Sequence, residues 1–207
     1  RNIITVIGEA ISNSWDADAH NIWITIDREN NYMAIEDDGN GMSGEDFQEK
    51  FLKIGYSKRK NGNYRSTLNR PFIGRKGIGK LALLSCAQKI HIASKKVGED
   101  VVGGVIDNSA LDKAITDDLN SQDYMLETLS DEMLNAMNRL EKGTCIVFEK
   151  VNNGIFNTID YIKKAIALYF RFSLIDEQFN IYVNGELINE DMLKDLADDT
   201  QFLWKIN

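Results

Sequence analysis

The sequence is poor in cysteine, histidine and proline, and it contains no long apolar run. Its 207 residues include two cysteines, two histidines and one proline. Cys86 and Cys145 each lie within an apolar run, which indicates buried, reduced thiols. His20 and His91 stand alone, whereas a zinc site normally brings paired ligands, so neither is assigned a role. No apolar stretch approaches the roughly 18 residues of a membrane span, and no signal-peptide pattern opens the chain. We therefore expect a cytoplasmic protein that does not contact membranes.

Acidic residues are also missing from one segment, although the chain as a whole is acidic. The net charge of −8 argues against broad contact with a nucleic acid backbone, so direct nucleic acid binding by this domain is not expected. Residues 51–80 nevertheless contain no Asp or Glu. A charge run considered alone usually marks a solvated loop, and the alternative is a site for an anionic ligand. The basic residues of this segment are Lys53, Lys58, Arg59, Lys60, Arg65, Arg70, Arg75, Lys76 and Lys80.

The order of predicted elements indicates an α/β fold. Ile4, Ile7, Ile11 and Trp15 recur at helical spacing and predict an opening helix with one apolar stripe. A hairpin follows, then a helix with Ser43 as N-cap running to about residue 54, and a short helix at 80–87. The other predicted strands are KIHIASKK, VVGGVID, GTCIVFEK and FNIYVNGELI. This order favours a two-layer sandwich, in which a mixed β-sheet carries its helices on one face.

Two later segments have helical patterns. Residues 107–142 are acidic, and their predicted stripe consists of Leu129, Met133, Ala136, Met137 and Leu140. We interpret this segment as a surface for a protein partner, and the alternative is a solvated helical decoration. Residues 157–174 predict a helix with its inward side formed by Ile159, Ile162, Ile166 and either Tyr169 or Phe170. By contrast, residues 55–77 look irregular, and a loop this long in a compact domain is usually functional or disordered.

The opening helix carries three oxygen-bearing side chains on its polar side. Glu9, Asn13 and Asp16 are spaced by four and then three residues, so they share a helix face opposite the apolar stripe. Carboxylate and amide oxygens suit a hard cation such as magnesium, and a carboxylate could also deprotonate a water molecule. In isolation, the same pattern describes the wet face of any amphipathic helix.

Two glycine-rich turns complete the candidate site. The sequence IEDDGNGM places Asp37 at a strand end, where it could accept a hydrogen bond from an exocyclic amine such as that of adenine. Gly39 and Gly41 would allow a close backbone approach, although DG and NG are also common turn dipeptides. Further on, FIGRKGIGKLALLS has the pattern G-x-x-G-x-G before an apolar helix, where backbone amides could bind phosphate. It fits neither the Rossmann fingerprint nor the Walker loop.

Taken together and in this order, the motifs resemble the ATPase domains of the gyrase, heat-shock chaperone, histidine kinase and MutL (GHKL) superfamily. EAISNSWDA resembles its N-box, DDGNGM its first glycine box and GRKGIGK its second, and Gly143-Thr144 resembles the late Gly-Thr before a strand. The resemblance covers residues 1 to about 150. It implies a Bergerat-type sandwich over 1–207, with the core at about 1–150, an ATP lid at about 54–76 and a helix-strand extension at 151–207.

The resemblance also implies a role for each matching residue. Glu9 would be the general base, Asn13 the magnesium ligand, and Asp16 would shape the polar face near the base or ribose. Asp37 would bind the adenine amine, and Thr144 would support it. The other residues expected to bind nucleotide are Gly39, Gly41, Met42, Lys53, Lys58, Gly74, Gly77, Ile78, Gly79 and Lys80. Which of the two lysines contacts the phosphates is left open.

Three functions are compatible with the resemblance. The first is hydrolysis of ATP with magnesium to drive a conformational or dimerisation switch, with a nucleotide-dependent homodimer formed in a longer chain. The second is a histidine-kinase-like phosphotransfer module, which Glu9 disfavours because kinases of this superfamily usually lack that glutamate. The third is a non-hydrolysing nucleotide sensor, which the complete boxes disfavour. SNSWDADA and IGYSK are most similar to the chaperone, MORC and MutL branches.

Overall fold

A computed structural model describes residues 3–51, 65–74, 83–109, 126–171 and 176–193. Within these ranges the α-helices are α1 (Ile3–Asp16), α2 (Asp131–Asn138) and α3 (Ile159–Tyr169). The strands are β1 (Asn21–Asp27), β2 (Tyr32–Asp37), β3 (Ala87–Lys95), β4 (Val102–Asp107), β5 (Gly143–Val151), β6 (Asn180–Val183) and β7 (Glu186–Leu187). A π-helical turn spans Asp46–Phe51 and a 3₁₀ turn spans Glu190–Leu193. No helix within the described ranges is long and apolar enough to cross a membrane.

The seven strands form one mixed sheet, which confirms the predicted fold class. Their order across the sheet is β4-β3-β5-β2-β1-β6-β7. β1 and β6 run parallel, and every other neighbouring pair is antiparallel. The predicted hairpin is present as β1 and β2, with Ile24 opposite Ile35. The centre of the sheet places the end of β2 beside the start of β5, where Asp37 pairs with Thr144.

The core lies between one face of the sheet and helices α1 and α3. Ile7, Ile11 and Trp15 of the predicted stripe are buried, and Ile4 is partly buried against the same core. Strand β1 contributes every second residue, Ile22, Ile24 and Ile26, as its period of two requires. Each fully buried large aliphatic side chain stabilises the fold by about 1.5–3 kcal/mol. This packing holds α1 against the core, and Ser14 of α1 donates a hydrogen bond to Asp37 at the end of β2.

The described part of the C-terminal extension belongs to this same core. Ile162 and Ile166 of α3 are buried, as predicted, and α3 contacts α1. Thr158 caps α3 by accepting a hydrogen bond from the backbone of Tyr161. Strand β6 then pairs with β1 and buries Ile181 and Val183. The extension therefore contributes helix α3 and strands β6 and β7 to the sandwich.

Two local predictions from periodicity are wrong in detail, and the choice left open between Tyr169 and Phe170 falls on Phe170. Ala87 does not end a helix, since it already pairs with Val151 at the start of β3. Tyr169 is 69% exposed at the last turn of α3, and the neighbouring Phe170 is the aromatic ring that packs on the core. In the predicted stripe at 129–140, Met137 is buried whereas Ala136 and Leu140 are exposed. Helix α2 ends at Asn138, so Leu140 lies beyond it and the helical period no longer sets its direction.

Candidate functional site

Asp37 ends β2, and Ser14 and Gly39 donate hydrogen bonds to its carboxylate. The Ser14 hydroxyl donates to Oδ2 over 2.8 Å, and the Gly39 N–H donates to Oδ1 over 2.9 Å. Burial raises the pKa of Asp37 to about 6, although the hydrogen bonds from Ser14 and Gly39 act in the opposite direction. Each carboxylate oxygen has two lone pairs, so both can accept a further hydrogen bond from a ligand. The group is thus oriented and still able to bind an amine.

The adjacent Asp38 has a structural role instead. Its Oδ1 accepts hydrogen bonds from the N–H groups of His20 and Asn21, over 2.7 and 2.8 Å. Its Oδ2 accepts from the side-chain amide of Asn21 over 2.7 Å. These contacts fix the start of β1 next to the end of β2. Of the two neighbouring aspartates in the sequence, Asp37 is therefore the one that α1 and the first glycine turn surround.

Ser94 connects the first glycine turn to the Gly-Thr pair of β5. This buried residue accepts a hydrogen bond from the Met42 N–H over 3.0 Å and donates to the Gly143 carbonyl over 3.1 Å. Its oxygen lies 2.9 Å from the Thr144 hydroxyl oxygen. The Thr144 side chain thus contacts Ser94, and the backbone N–H of Thr144 is among the groups that lower the pKa of Asp37. No pattern in the sequence indicates Ser94, because a single serine in a strand has no distinctive spacing.

Gly41 is required by the geometry of the turn. Its φ is +66°, and a Cβ atom there would lie 1.9 Å from the Lys95 carbonyl oxygen. Gly143 is equally constrained, since a Cβ atom would lie 2.2 Å from the carbonyl oxygen of Asp37. The two glycines let the turn after β2 pack directly on the backbones of β3 and β5. The close backbone approach at Gly41 is made to the protein itself, at the Lys95 carbonyl, and the predicted approach to a ligand stays a prediction.

Helix α1 brings two of its three predicted polar residues to a partly exposed position. Glu9 and Asn13 are half-buried on successive turns of the helix. Asp16 differs from the expectation of a wet face, because it is only 8% exposed. Its carboxylate accepts hydrogen bonds from the N–H groups of Ile73 and Gly74, over 2.9 and 3.2 Å. Asp16 therefore fixes the backbone at the first glycine of the second glycine box.

Residues 65–74, the described part of the predicted lid, are attached to the rest of the protein through Arg70 and Pro71. Arg70 is buried and donates to the carbonyl oxygens of Ala19 and Gln178, over 2.5 and 2.9 Å. Its guanidinium carbon lies 4.6 Å from the centre of the Trp15 ring. The Trp15 indole N–H in turn donates to the Pro71 carbonyl over 2.9 Å. Sequence alone did not distinguish this buried arginine from the other basic residues among the nine at positions 51–80.

Several predicted site residues lie outside the described ranges, and their roles stay predictions. They are Lys53, Lys58, Gly77, Ile78, Gly79 and Lys80. The same holds for the rest of the predicted lid and for residues 110–125 of the predicted partner surface. The described site residues are Glu9, Asn13, Asp16, Asp37, Gly39, Gly41, Met42, Gly74 and Thr144. The structure assembles these from α1, the turn after β2, the start of β5 and the segment 65–74.

Comparison with known proteins gives two matches. Residues 2–144 match the family described as histidine kinase-, DNA gyrase B- and HSP90-like ATPase. The chain is also 31% identical, over 205 residues, to a putative type II restriction enzyme, HgiDII, of Herpetosiphon aurantiacus. That alignment covers 98% of this chain and 31% of the relative. The chain therefore spans about a third of the length of this relative.

Proposed function

The chain belongs to the histidine kinase-, DNA gyrase B- and HSP90-like ATPase family, and on that premise we propose that it binds ATP with magnesium and hydrolyses it. The observation that carries the proposal is the environment of Asp37. Its carboxylate is held by Ser14 and Gly39 beside the first glycine turn, and α1 runs past it with Glu9 and Asn13. An adenine amine would donate to this carboxylate, and the triphosphate would extend toward Gly74.

The residues of α1 fit a magnesium ion bound mainly through phosphates. Asn13 offers an amide oxygen, and Glu9 lies one turn away on the same helix. Magnesium takes few protein ligands and keeps several waters, which agrees with a single amide from the protein. When bound, the ion would neutralise part of the phosphate charge. Glu9 would accept a proton from the attacking water, while the fixed backbone at Ile73 and Gly74 would orient the chain next to the phosphates.

Phosphate release by the purified chain tests hydrolysis. We expect ATP-dependent release from the parent, and Glu9→Ala should lose turnover while keeping its affinity for a non-hydrolysable ATP analogue. Asn13→Ala should also lose magnesium-dependent affinity. Glu29→Ala provides a matched control, because this glutamate is exposed in the β1–β2 turn. Parent-like turnover in Glu9→Ala would remove Glu9 from the mechanism, and binding without turnover in the parent would favour a nucleotide sensor.

Nucleotide-dependent dimerisation is proposed from the family alone, and its test is separate from the test of hydrolysis. We expect light scattering to give a larger mass with the ATP analogue and magnesium than with ADP or without nucleotide. An unchanged mass in all three states would contradict nucleotide-dependent dimerisation by this chain, leaving hydrolysis untouched. A partner at residues 107–142 likewise stays a proposal.

The similarity to a restriction enzyme supports a more specific proposal, which concerns the larger protein that would contain this domain. We propose that the domain works as the ATPase part of a larger DNA-processing protein, supported by the identity over nearly the whole chain. The net charge of −8 argues that DNA contacts would come from elsewhere in such a protein. Phosphate release by the full-length protein should then respond to duplex DNA, whereas the isolated chain should not. No response of the full-length protein would count against this setting.

A further inference from the structure

The turn that follows α1 contacts both glycine-rich segments of the site. On one side, the Ala17 carbonyl accepts a hydrogen bond from the Asn40 N–H over 2.8 Å. The Asn40 side-chain amide also lies 3.4 Å from Oδ2 of Asp18. Asn40 stands between Gly39 and Gly41, so these contacts attach the turn of the proposed adenine side to residues 17 and 18.

The same oxygen of Asp18 also binds the segment that leads to Gly74. The Thr67 hydroxyl donates to Asp18 Oδ2 over 2.5 Å, and the Leu68 N–H donates to it over 3.3 Å. Two neighbours of Asp18 bind the same segment. The carboxylate of Asp16 accepts a hydrogen bond from the Gly74 N–H, and the Ala19 carbonyl accepts one from Arg70. Asp18 is therefore the side chain at which the turn at Asn40 and the segment 65–74 share one acceptor.

The burial and the ionised form of Asp18 strengthen these shared hydrogen bonds. The residue is 4% exposed, and its φ of +58° places it in the left-handed region. Burial raises the pKa of Asp18, but hydrogen bonds from Ser66, Thr67 and Leu68 outweigh burial and hold the pKa below its ordinary value. Its Oδ1 is buried without a partner among the described residues. A buried carboxylate that loses donors is costly, so movement of either segment away from Asp18 is opposed.

We propose that Asp18 is a positioning residue. It couples the turn at residues 39–41, on the proposed adenine side, to the segment 65–74, which ends at the first glycine on the proposed phosphate side. This inference rests on the proposed function, since it presumes that adenosine and triphosphate occupy these two sides. With Asp18 in place, the segment 65–74 is already held in position when a nucleotide binds with its adenine at Asp37. Without it, the base still binds, but the phosphates must order the segment themselves and so contribute less to affinity.

The test compares adenosine with adenosine 5′-(β,γ-imido)triphosphate plus magnesium, each competing for a fluorescent nucleotide. The dissociation constant of adenosine divided by that of the triphosphate analogue measures how much the triphosphate group adds to affinity. Asp18→Gly removes the carboxylate and tolerates the positive φ, and Asp18→Asn keeps one acceptor oxygen and also tolerates it. Thr67→Val replaces the hydroxyl of this exposed residue with a methyl group, and it serves as the test if Asp18→Gly does not fold. Asp27→Gly is the matched control, because Asp27 accepts comparable hydrogen bonds from Asn30 at the far end of β1.

We expect Asp18→Gly to lower the ratio by roughly ten- to a hundredfold, with adenosine affinity changed less than about twofold. Asp18→Asn should recover most of the ratio, Thr67→Val should lower it by a smaller factor, and Asp27→Gly should leave it unchanged. A parent-like ratio in Asp18→Gly, or an equal loss for both ligands, would overturn the coupling. A parent that binds neither ligand would instead overturn the proposed function, so the two failures are distinct.

Discussion

The hydroxyl oxygen of Ser14 lies 2.8 Å from Oδ2 of Asp37, joining two residues that are 23 positions apart in the chain. Ser14 is buried and follows Asn13 directly on α1. The helix that presents Glu9 and Asn13 is thus tied to the carboxylate that would bind adenine. The proposed hydrolysis requires the adenine-binding and water-activating groups at a fixed separation, and this hydrogen bond contributes to fixing it.

Ser14→Ala should weaken nucleotide binding, because Asp37 loses a donor that orients it. One such hydrogen bond contributes about 0.5–1.5 kcal/mol, so we expect roughly two- to tenfold weaker affinity by calorimetry. Ser12→Ala is the control, since the Ser12 hydroxyl donates within α1 to the Gly8 carbonyl. Equal affinities for the two variants would mean that the Ser14 contact does not serve the site.

Asp37→Asn should have a larger effect than Ser14→Ala. The amide no longer offers a charged acceptor to the adenine amine, which should cost about 1.5–3 kcal/mol, or roughly ten- to a hundredfold in affinity. Calorimetry with ATP analogue and magnesium measures the loss. Unchanged affinity would remove Asp37 from the base pocket.

The raised pKa of Asp37 predicts two effects of pH. Its value of about 6 in the folded chain exceeds the roughly 3.9 of an unfolded aspartate. The folded state therefore binds more protons between these values, so this group lowers folding stability as the pH rises from about 4 to about 6. Asp37→Asn lacks this titration. Its unfolding free energy relative to the parent should increase across that window and level off above it, as urea titrations at successive pH values would show.

Nucleotide affinity should change with pH in the opposite sense to folding stability, around the folded-state pKa of Asp37 of about 6. Protonated Asp37 is a poorer acceptor, so affinity of the parent should fall as the pH drops from 7 through 6 to 5. Calorimetry at these pH values gives the profile, and Asp37→Asn should have a flatter one. Parallel profiles would assign the dependence to another group.

Gly41→Ala should destabilise the protein beyond the cost of its positive φ. The new Cβ atom would lie 1.9 Å from the Lys95 carbonyl oxygen, so the turn must move. Gly98→Ala separates the two effects, because Gly98 has a φ of +75° and a Cβ atom there would meet no other atom within 4 Å. We expect the Gly98 variant to lose roughly 1–2 kcal/mol of unfolding free energy and the Gly41 variant clearly more. Similar losses in urea unfolding would show that the turn adapts without strain.

Arg70→Lys should loosen the segment 65–74. A lysine cannot donate as a planar fork to both the Ala19 and Gln178 carbonyls, nor stack on Trp15 in the same way. We expect a loss of about 1–3 kcal/mol in unfolding free energy and faster hydrogen exchange at residues 66–74. Arg65→Lys is the control in the same segment, because Arg65 is exposed. Slow exchange in Arg70→Lys would mean that other contacts hold the segment.

Periodicity predicted the parts of the fold that depend on neighbouring residues. The alternation of Ile22, Ile24 and Ile26 and the stripe of α1 follow from the local periods of two and 3.6 residues. The burial of Asp16 was not predictable in this way. The N–H groups that cover it, on Ile73 and Gly74, are 57 and 58 residues further along the chain. A helical pattern predicts which residues share a face, but it does not predict what packs on that face.

The same limit applies to the hydrogen-bonded residues of the site. Ser14 and Ser94 are single hydroxyls with no distinctive spacing, and their partners come from other strands and turns. Asp37 was predicted because its strand-end position and the two glycines after it form a local pattern. The different role of Asp38 was not predictable, because it depends on the pairing of β1 with β2. That pairing places the carboxylate of Asp38 against the backbone N–H of Asn21.

The parallel pairing of β6 with β1 has a consequence for recombinant work. The family match ends at residue 144, whereas β6 begins at Asn180. A truncation at the end of the match would remove almost all of β5 from between β3 and β2. It would also remove β6 from beside Asn21–Ile24 of β1, so both β1 and β2 would have exposed N–H and C=O groups beside apolar side chains. Such edges recruit strands from other molecules, so the shortened protein should aggregate during expression. Deletion experiments that aim to isolate the minimal ATPase should therefore keep the chain through β6.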